Sequence, residues 1–386
     1  MSLVDLLDNS AAAGPVSGRG DPRATGFHRS MPGYAPTAVA EAPTAAARLG
    51  LEKLVVKLET ERFGLPSFKV LGASWAICRA LSGRLGAPDE PLATFDELRA
   101  ALPGLGGLTL VAATDGNHGR AVARVATMLG LGARILIPEH SARARIDAIA
   151  AEGAAVDVVR GSYDDAVGLS AALADDEHIV VSDTSWPGYE DVPGWVADGY
   201  STIFAELAEQ LGDAPSPPLV PIQIGVGALA CAAVRALADG ERVLVGVEPA
   251  DAGCVLAAIR SADGRPVLVP GPHRSIMAGL NCGLASQVAL PDMAAGIAAF
   301  ALIEDEDAVH AVRLLFEDGL RCGETGASGL AGLLALRADR PHDTWRRFGL
   351  GERPAALAIC TEAPTDERLF AQITGGGPGQ EVGARP

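Results

Sequence analysis

Short apolar segments alternate with longer stretches of helical spacing along most of this chain, and this alternation restricts the folds open to it. The apolar segments are rich in Val, Leu and Ile, and they predict strands at 54–58, 108–112, 133–137, 154–159, 178–182, 219–224, 243–247 and 355–360. The intervening stretches predict helices near 68–82, 117–129, 141–151, 163–174, 195–211, 228–238, 305–318, 325–336 and 364–372. Such an alternation predicts an α/β fold with a largely parallel sheet. Because the strand segments are apolar throughout, we expect helices on both faces of the sheet.

Chain length and composition predict a division into domains. A chain of 386 residues has room for two or three domains, or for one large domain with an insertion. Residues 1–30 are small, polar and rich in Pro and Gly, which predicts a loose N-terminal tail. The strand–helix units near 108–160 predict a compact subdomain, and the Pro/Gly-rich stretches at 183–194 and 212–221 predict joints.

Charge and cysteine usage argue against several classes of protein. The formal net charge of −17 argues against nucleic acids and anionic membranes as partners, because both require a basic surface. No apolar run approaches the ~18 to 20 residues of a membrane span, and we expect no secretory signal at the start of the chain. The six cysteines are scattered and the seven histidines lack metal-binding spacings. We therefore expect no disulfide and no metal site, as in a reduced cytoplasm.

Lysine is rare in this chain, which points to an amine with a chemical role. Lys53, Lys57 and Lys69 are the three lysines, and the other 28 of the 31 basic residues are arginines. Arginine can neither lose its proton nor form a Schiff base, so a retained lysine is a candidate nucleophile. Lys69 follows a Pro/Ser turn at the start of a predicted helix, where the positive potential would lower the pKa of its amine. An ordinary first-turn residue is the alternative for Lys69, and we expect the other two lysines to be solvated on an edge strand.

The string T-D-G-N-H-G at 114–119 lies directly after a predicted strand and opens the next helix. Its glycines allow the backbone to approach a ligand closely. Asn117 can donate to an oxyanion, and Asp115 can serve as an acid or a base. Helix capping by Thr114 or Asp115 is the alternative, although a cap requires only one such residue.

The string G-V-G-A-L-A at 225–230 also joins a predicted strand to a helix. Free backbone N–H groups in such a loop bind phosphate. The same string matches G-x-G-x-x-A, and Glu248 follows about 20 residues later, which is the dinucleotide-binding pattern. From this segment alone, an NAD(P)-dependent oxidoreductase is an open alternative.

Two further predicted strand ends carry polar residues. Asp183 begins a segment with Trp186 and Tyr189, which suits a substrate pocket at the carboxyl end of a strand, although a surface turn explains it equally well. Thr361 follows the last predicted strand, where its hydroxyl can face the same cleft.

Together these segments resemble the fold-type II pyridoxal 5′-phosphate (PLP) enzymes, the group that includes the serine and threonine dehydratases and the diaminopropionate ammonia-lyases. The motifs that carry the resemblance, over about residues 30–375, are S-F-K-V-L-G at 67–72, A-T-D-G-N-H-G-R-A-V-A at 113–123, S-D-T-S-W-P-G-Y at 182–189, Q-I-G-V-G-A-L-A at 223–230, V-E-P at 247–249, A-G-L-N-C-G at 278–283, G-E-T-G-A at 323–327 and C-T-E-A-P-T-D at 360–366. The resemblance implies two open, mostly parallel sheets with helices on both faces. It also implies a large PLP-binding domain of residues 31–92 and 190–386, a smaller mobile domain of residues 93–189, and a homodimer.

The resemblance further implies a set of site residues. The cofactor set comprises Lys69 as the covalent attachment point of PLP, Phe68, Asn117 at the phenolic oxygen, Thr361 at the pyridine nitrogen, and the backbone of Gly225, Val226, Gly227, Ala228 and Leu229 at the phosphate. Asp115 and Asp183 are implied on the substrate side, as acid/base and for recognition of a second amine, and Glu324 near the ring.

The implied activity is PLP-dependent α,β-elimination of 2,3-diaminopropionate to pyruvate and ammonia. A hydroxyl partner leaves the pyridine nitrogen unprotonated, which favours expulsion of a β-leaving group, and ammonia leaves readily only when protonated. A diamine site also requires negative charge, which Asp115 and Asp183 would supply. Ala363 and Leu284 depart from the family pattern, so a lyase or β-replacement reaction on another β-substituted amino acid is the alternative.

Overall fold

The computed structural model describes residues 3–12, 16, 18, 20–105, 107–114, 116–261 and 263–375. The strands are β1 (Asp5–Asp8), β2 (Val39–Glu41), β3 (Lys53–Leu58), β4 (Thr109–Ala113), β5 (Gly132–Pro138), β6 (Ala155–Val159), β7 (His178–Val180), β8 (Leu219–Gln223), β9 (Val243–Pro249), β10 (Ile297–Ile303) and β11 (Ala355–Cys360). The α-helices are α1 (Arg23–Ser30), α2 (Pro43–Leu49), α3 (Lys69–Arg84), α4 (Phe95–Ala101), α5 (Asn117–Leu129), α6 (Arg143–Ala151), α7 (Tyr163–Ala171), α8 (Asp191–Leu211), α9 (Ala228–Leu237), α10 (Cys254–Arg260), α11 (Leu290–Gly296), α12 (Asp305–Glu317), α13 (Glu324–Asp339) and α14 (Glu367–Thr374).

The strands form two sheets, both built mainly from parallel pairs. The larger sheet has the order β1-β10-β9-β8-β11-β3-β2, and only the edge strands β1 and β2 are antiparallel to their neighbours. The smaller sheet has the order β6-β5-β4-β7 and is parallel throughout. All eight predicted strands are present, and the expected α/β architecture with two mostly parallel sheets is confirmed. The sequence analysis missed β1, β2 and β10.

The prediction of a loose tail at residues 1–30 is wrong for much of that segment. Strand β1 pairs with β10 at the edge of the larger sheet. Helix α1 buries Phe27 and His28. The two ring nitrogens of His28 lie 2.8 Å from Thr202 Oγ1 and 2.9 Å from Leu71 O, so this helix is fastened to the core. The small and polar residues of this segment predicted no regular structure, but helix α1 has one face that tertiary contacts bury.

The smaller sheet and the helices α5 to α7 fall within the predicted smaller domain at 93–189. The larger sheet is built from strands on either side of that segment, together with β1. The proposed division, and any motion of one part against the other, stay predictions.

Helices α3 and α8 pack closely because two glycines lie at their contact. A Cβ on Gly72 would lie 2.5 Å from Tyr200 Cε1, and a Cβ on Gly199 would lie 2.5 Å from Leu71 O. Larger residues would therefore force the two helices apart. This contact fixes α3, whose first residue is Lys69.

The prediction that Lys57 is a solvated residue on an edge strand is wrong. Strand β3 lies between β11 and β2, and the Lys57 side chain is fully buried. Its Nζ donates to Glu206 Oε2 at 2.8 Å, to Thr37 O at 2.9 Å and to Gln210 Oε1 at 2.8 Å. A buried ammonium is tolerated only when it is paired in this way. Lys53 on the same strand is solvated as predicted, with 48% of its side chain exposed.

The expectation of no disulfide is also wrong, because Cys322 and Cys360 are joined by a disulfide. The other four cysteines are buried and form no disulfide among the described residues. Within the described residues there is no group of three or more side chains that could hold a metal ion. Across those same ranges, no helix is long and apolar enough to cross a membrane.

Candidate active site

The carboxyl ends of four parallel strands meet around one pocket between the two sheets. Residues directly after β4, β7, β8 and β11 line it, as the geometry of open α/β sheets predicts. The pocket brings together these predicted site residues: Phe68, Lys69, Asn117, Asp183, Gly225, Val226, Gly227, Ala228, Leu229 and Thr361. Asp115 lies outside the described residues, and its role stays a prediction.

Lys69 and Asp183 form the central ion pair of the pocket. Lys69 Nζ lies 2.8 Å from Asp183 Oδ2, and Tyr163 donates its hydroxyl to Asp183 Oδ1 at 3.1 Å. Burial acts against both charges, but the Asp183 carboxylate outweighs it and raises the pKa of Lys69 above its ordinary value. Burial likewise opposes ionisation of Asp183, but the Lys69 ammonium lowers the pKa of this carboxyl below its usual range.

The predicted depression of the Lys69 pKa is therefore wrong for the amine as it stands in this structure. Lys69 does begin α3. A helix N-terminus acts through partial charges, whereas Asp183 presents a full charge in a partly desolvated site. Asp183, which decides the protonation of the Lys69 amine, is thus 114 residues away from Lys69 in sequence.

Two aromatic rings flank the Lys69 amine. Its Nζ lies 5.5 Å from the centre of the Phe68 ring and 5.9 Å from the centre of the Tyr200 ring. These two rings meet edge to face with their centres 4.6 Å apart. Such rings stabilise a cation and shield part of the amine from water.

The turn at 114–119 combines a helix cap with pocket residues. Thr114 Oγ1 accepts from the backbone N–H groups of Gly116 at 2.9 Å and Gly119 at 3.0 Å, so the capping interpretation is correct for Thr114. Asn117 takes no part in this cap and lines the pocket, where its Nδ2 donates to Glu362 Oε2 at 2.5 Å. His118 is buried and its Nε2 lies 2.8 Å from Val181 O.

The loop at 225–229 presents unpaired backbone donors to the pocket. Among the described residues, no acceptor takes the N–H groups of residues 226–229, and no side chain caps α9. Gly227 has a φ of 106°, and a Cβ there would overlap Met293 Cε. A tight turn followed by free N–H groups at a helix N-terminus is suited to an anion such as phosphate.

Thr361 faces the pocket from the end of β11. Gln223 Nε2 lies 2.9 Å from Thr361 Oγ1, and both side chains are buried. Of the two neighbours Cys360 and Thr361, the threonine lines the pocket, while Cys360 belongs to the disulfide. The pocket therefore offers a neutral hydroxyl rather than a carboxylate at this point.

Two buried glutamates lie beside Thr361. Glu362 lines the pocket, whereas Glu324 is buried behind it and is not among the lining residues. Burial and, to a smaller extent, the neighbouring Glu362 carboxylate together raise the pKa of Glu324 to about 7.

Glu248 does not support the dinucleotide interpretation. Its carboxylate accepts from the backbone N–H groups of Val255 at 2.7 Å and Leu256 at 2.8 Å, and it does not line the pocket. Glu248 is therefore occupied as a cap of α10 rather than placed to bind a ribose. Burial raises the pKa of this carboxyl to about 8.

Sequence reasoning missed several residues that line the pocket, namely Tyr163, Gln223, Cys282, Arg145 and Glu362. Glu362 stands next to a predicted site residue, and Gln223 is the last residue of β8, one residue before the end of the predicted strand 219–224. Strand ends were therefore the available signal for these two residues. Tyr163 and Arg145 lie on helices of the smaller unit, and nothing local in the sequence marks them.

The pocket fits PLP on its own chemistry. An amine flanked by aromatic rings suits an aldehyde, a cradle of free N–H groups suits a phosphate, and a hydroxyl suits an unprotonated pyridine nitrogen. Asn117 provides an N–H donor between these groups. Glu248, the acid of the dinucleotide-binding pattern, is not among the described residues that line this pocket.

Comparisons with known proteins agree with this geometry. The chain is 33% identical to the diaminopropionate ammonia-lyase of Escherichia coli K12, over 96% of this chain and 96% of that protein. A crystal structure of the Escherichia coli enzyme in complex with D-serine superposes with a TM-score of 0.87, at 31% identity and 97% coverage of each chain. Another, with an aminoacrylate-PLP azomethine reaction intermediate, superposes with a TM-score of 0.85 at 31% identity and the same coverage. The fold-type II prediction is thereby confirmed.

A family match extends over most of the chain. Residues 31–345 match the family described as pyridoxal-phosphate dependent enzymes. This range includes every described residue of the predicted cofactor set except Thr361. The chain therefore belongs to the pyridoxal-phosphate dependent enzyme family.

Proposed function

We propose that this enzyme catalyses the α,β-elimination of 2,3-diaminopropionate. One substrate molecule and one water give pyruvate and two molecules of ammonia. The α-proton and the β-amino group leave the substrate carbons, and the released 2-aminoacrylate is hydrolysed in water to pyruvate. Similarity to diaminopropionate ammonia-lyases along 96% of the chain supports this reaction.

The observation that carries the proposal is the buried Asp183 carboxylate 2.8 Å from Lys69 Nζ. A substrate with two amino groups brings one more ammonium into the pocket than serine or threonine does. A buried carboxylate requires a cationic partner. When Lys69 is engaged by the cofactor, Asp183 loses its ammonium partner, and the second ammonium of a diamine can replace it.

The described residues divide the work of holding PLP and substrate. Bound PLP supplies an electron sink for the carbanion at the substrate α-carbon. Lys69 Nζ is the attachment point and a proton acceptor for one substrate configuration, and Asp115 is proposed for the other. Thr361 offers its hydroxyl at the ring nitrogen, and the N–H groups of 226–229 hold the phosphate.

Asp183 keeps the leaving amine cationic, which it must be to depart as ammonia. Tyr163 donates to Asp183 Oδ1 and fixes the orientation of the carboxylate. Phe68 and Tyr200 pack beside the Lys69 amine and shield part of it from water.

The test is pyruvate release by the PLP-loaded enzyme, coupled to lactate dehydrogenase. The substrates are both enantiomers of 2,3-diaminopropionate, serine, threonine and β-chloroalanine. We expect diaminopropionate to give the highest kcat/KM. A higher kcat/KM for serine or threonine would contradict the proposal.

Two variants separate the roles of the carboxylates. Asp183→Asn should lower kcat/KM for diaminopropionate by at least about 100-fold, because a charged hydrogen bond in a buried site is lost, and should affect β-chloroalanine less. Asp115→Asn should lower turnover of one enantiomer more than the other. Asp164→Asn is the matched control, because this carboxylate lies next to Tyr163 on α7 but outside the pocket lining. Equal losses on diaminopropionate and β-chloroalanine in Asp183→Asn would refute recognition of the second amine.

We also infer a homodimer, a cytoplasmic location, and movement of residues 93–189 as a unit when substrate binds. The family resemblance supports the homodimer and the movement, and the separate small sheet also supports the movement. The scattered cysteines, without a C-x-x-C pair, favour the cytoplasmic location. Light scattering during size-exclusion chromatography, fractionation of the native cells and X-ray scattering with and without substrate would test them in turn.

A further inference from the structure

Glu362 has no role in the proposed reaction, yet its position is tightly defined. It follows Thr361 at the end of β11 and is only 3% exposed. Its backbone forms an antiparallel bridge with Ser67, two residues before Lys69. On its other side, a Cβ on Gly326 would lie 2.5 Å from Glu362 O. Glu362 is thus held between the segment that leads to Lys69 and the start of α13.

The Glu362 carboxylate is a costly group to keep in this place. Its Oε1 is buried without a hydrogen-bond partner among the described residues. A carboxylate can accept about four hydrogen bonds, and an unsatisfied buried acceptor is destabilising. A second carboxyl, Glu324, is buried nearby and also has an unpartnered Oε1. An apolar residue of similar size would suit the folding of this region better, which indicates a role in the pocket.

The contact that Glu362 does make explains what it can do. Its Oε2 accepts from Asn117 Nδ2 at 2.5 Å. A side-chain amide has two N–H donors on its nitrogen and acceptor lone pairs on its oxygen, and its two orientations have nearly the same shape. A carboxylate acceptor permits only the orientation with the nitrogen towards Glu362. The second N–H of the same nitrogen then remains for a ligand oxygen.

We propose that Glu362 is a positioning residue that fixes the side-chain amide of Asn117, so that Asn117 presents an N–H donor to the phenolic oxygen of PLP. The inference rests on the role of Asn117 in the proposed function. Without Glu362 the amide could turn its oxygen towards the phenolic oxygen, and two acceptors would then face each other. The role of Glu362 is exerted through Asn117 and not by contact with the substrate.

A double-mutant cycle on PLP affinity tests this coupling. The variants are Glu362→Gln, Asn117→Ala and the two combined, and the PLP dissociation constant is measured by fluorescence titration of cofactor-free protein. Glutamine keeps the shape of the side chain but can present either a donor or an acceptor to Asn117. We expect each single variant to weaken PLP binding about 10-fold. The double variant should match Asn117→Ala within about twofold, because the two residues act as one unit.

A spectroscopic readout separates positioning from a general effect on folding. The ratio of the absorption bands of bound PLP depends on the protonation of its phenolic oxygen. Glu362→Gln and Asn117→Ala should therefore shift this ratio in the same direction. Glu324→Gln is the control, since it removes the neighbouring buried carboxyl, which makes no hydrogen bond to Asn117. Its effect on the dissociation constant should multiply with that of Asn117→Ala.

Independent, multiplicative effects of Glu362→Gln and Asn117→Ala would overturn the proposal, as would an unchanged PLP dissociation constant in Glu362→Gln. If Asn117→Ala fails to fold, Asn117→Asp replaces it, alone and combined with Glu362→Gln. The combination should restore the thermal stability lost in Asn117→Asp but not PLP affinity, because no N–H then faces the phenolic oxygen. Restored affinity would refute the inference. The cycle uses no amino-acid substrate, so failure of the proposed elimination appears separately, as absent pyruvate release by the wild-type enzyme.

Discussion

Lys57→Met is a decisive test of the buried ionic cluster beneath β3. Lys57 donates three hydrogen bonds, all within 2.9 Å, and its side chain is fully buried. Two of its acceptors keep other donors: Glu206 is held by Arg62 at 2.6 and 2.8 Å, and Thr37 O still accepts from Gln210 Nε2 at 2.8 Å. The substitution therefore preserves part of the network but removes one of its two cations.

The remaining cluster would contain Arg62 against the carboxylates of Glu59 and Glu206, all three buried. One negative charge is then uncompensated in a desolvated site. Removing one partner of a buried ion pair costs about 3 to 5 kcal/mol. An unfolding entropy of about 2.1 cal/mol/K per residue gives about 0.8 kcal/mol/K for 386 residues. The expected fall in Tm is therefore about 4 to 6 °C.

The matched control is Lys53→Met on the same strand. Lys53 pairs with Glu41 at 2.6 Å, but 48% and 64% of the two side chains are exposed. A surface pair of this kind contributes about 0 to 1 kcal/mol. Calorimetry and urea unfolding of both variants, saturated with PLP, measure the difference. A loss below about 1 kcal/mol in Lys57→Met, or an equal loss in Lys53→Met, would refute the reasoning from burial.

Three further predictions concern the pocket. Glu324→Gln should abolish a loss of folding stability that the wild type shows as pH rises. The pKa of Glu324 in the folded protein is about 7, above the ordinary value of 4.5. As pH rises between these values, ionisation of Glu324 therefore lowers the free energy of unfolding of the cofactor-free wild type by up to about 3 kcal/mol. Relative to wild type, this variant should therefore gain stability as pH rises from about 5 to 8, as measured by urea unfolding. Gly227→Ala should weaken PLP binding at least about 10-fold, because φ is 106° and the new Cβ would overlap Met293 Cε. Tyr163→Phe should lower kcat about 3- to 10-fold through the lost hydrogen bond to Asp183, with PLP affinity nearly unchanged, as judged by steady-state kinetics and titration.

Each of these three predictions has an outcome that contradicts it. If the difference in free energy of unfolding between Glu324→Gln and wild type did not change with pH, ionisation of Glu324 would not destabilise the folded protein. Gly349→Ala serves as the control for Gly227→Ala, because Gly349 also has a positive φ, of 73°, but a Cβ there meets nothing within 4 Å. Equal effects of the two glycine variants on PLP affinity would contradict the role of the 225–229 loop. A large loss of PLP affinity in Tyr163→Phe would place that hydroxyl in cofactor binding instead.

Local sequence was sufficient for much of the fold and for the parts of the pocket that a single segment builds. Apolar runs of five or six residues predicted eight strands, because a strand buried on both faces needs apolar residues at successive positions. Strands β1, β2 and β10 were not predicted. Strands β1 and β2 are short edge strands, and the Ala-rich β10 resembles a helix in composition. The glycine turn at 225–229 was predictable because backbone geometry depends on neighbouring residues.

The sequence by itself determined the α/β architecture, the rarity of lysine that singled out Lys69, and the polar strand ends that meet at one pocket. Tertiary structure decided which side chains face one another: Asp183 pairs with Lys69 across 114 residues, and Glu362 with Asn117 across 245. It also decided that Lys57 is buried and that the Lys69 ammonium is stabilised rather than destabilised. The reason is physical. Periodicity and turn chemistry act between neighbours in the chain, whereas burial and Coulomb energies depend on distances that only the folded topology sets.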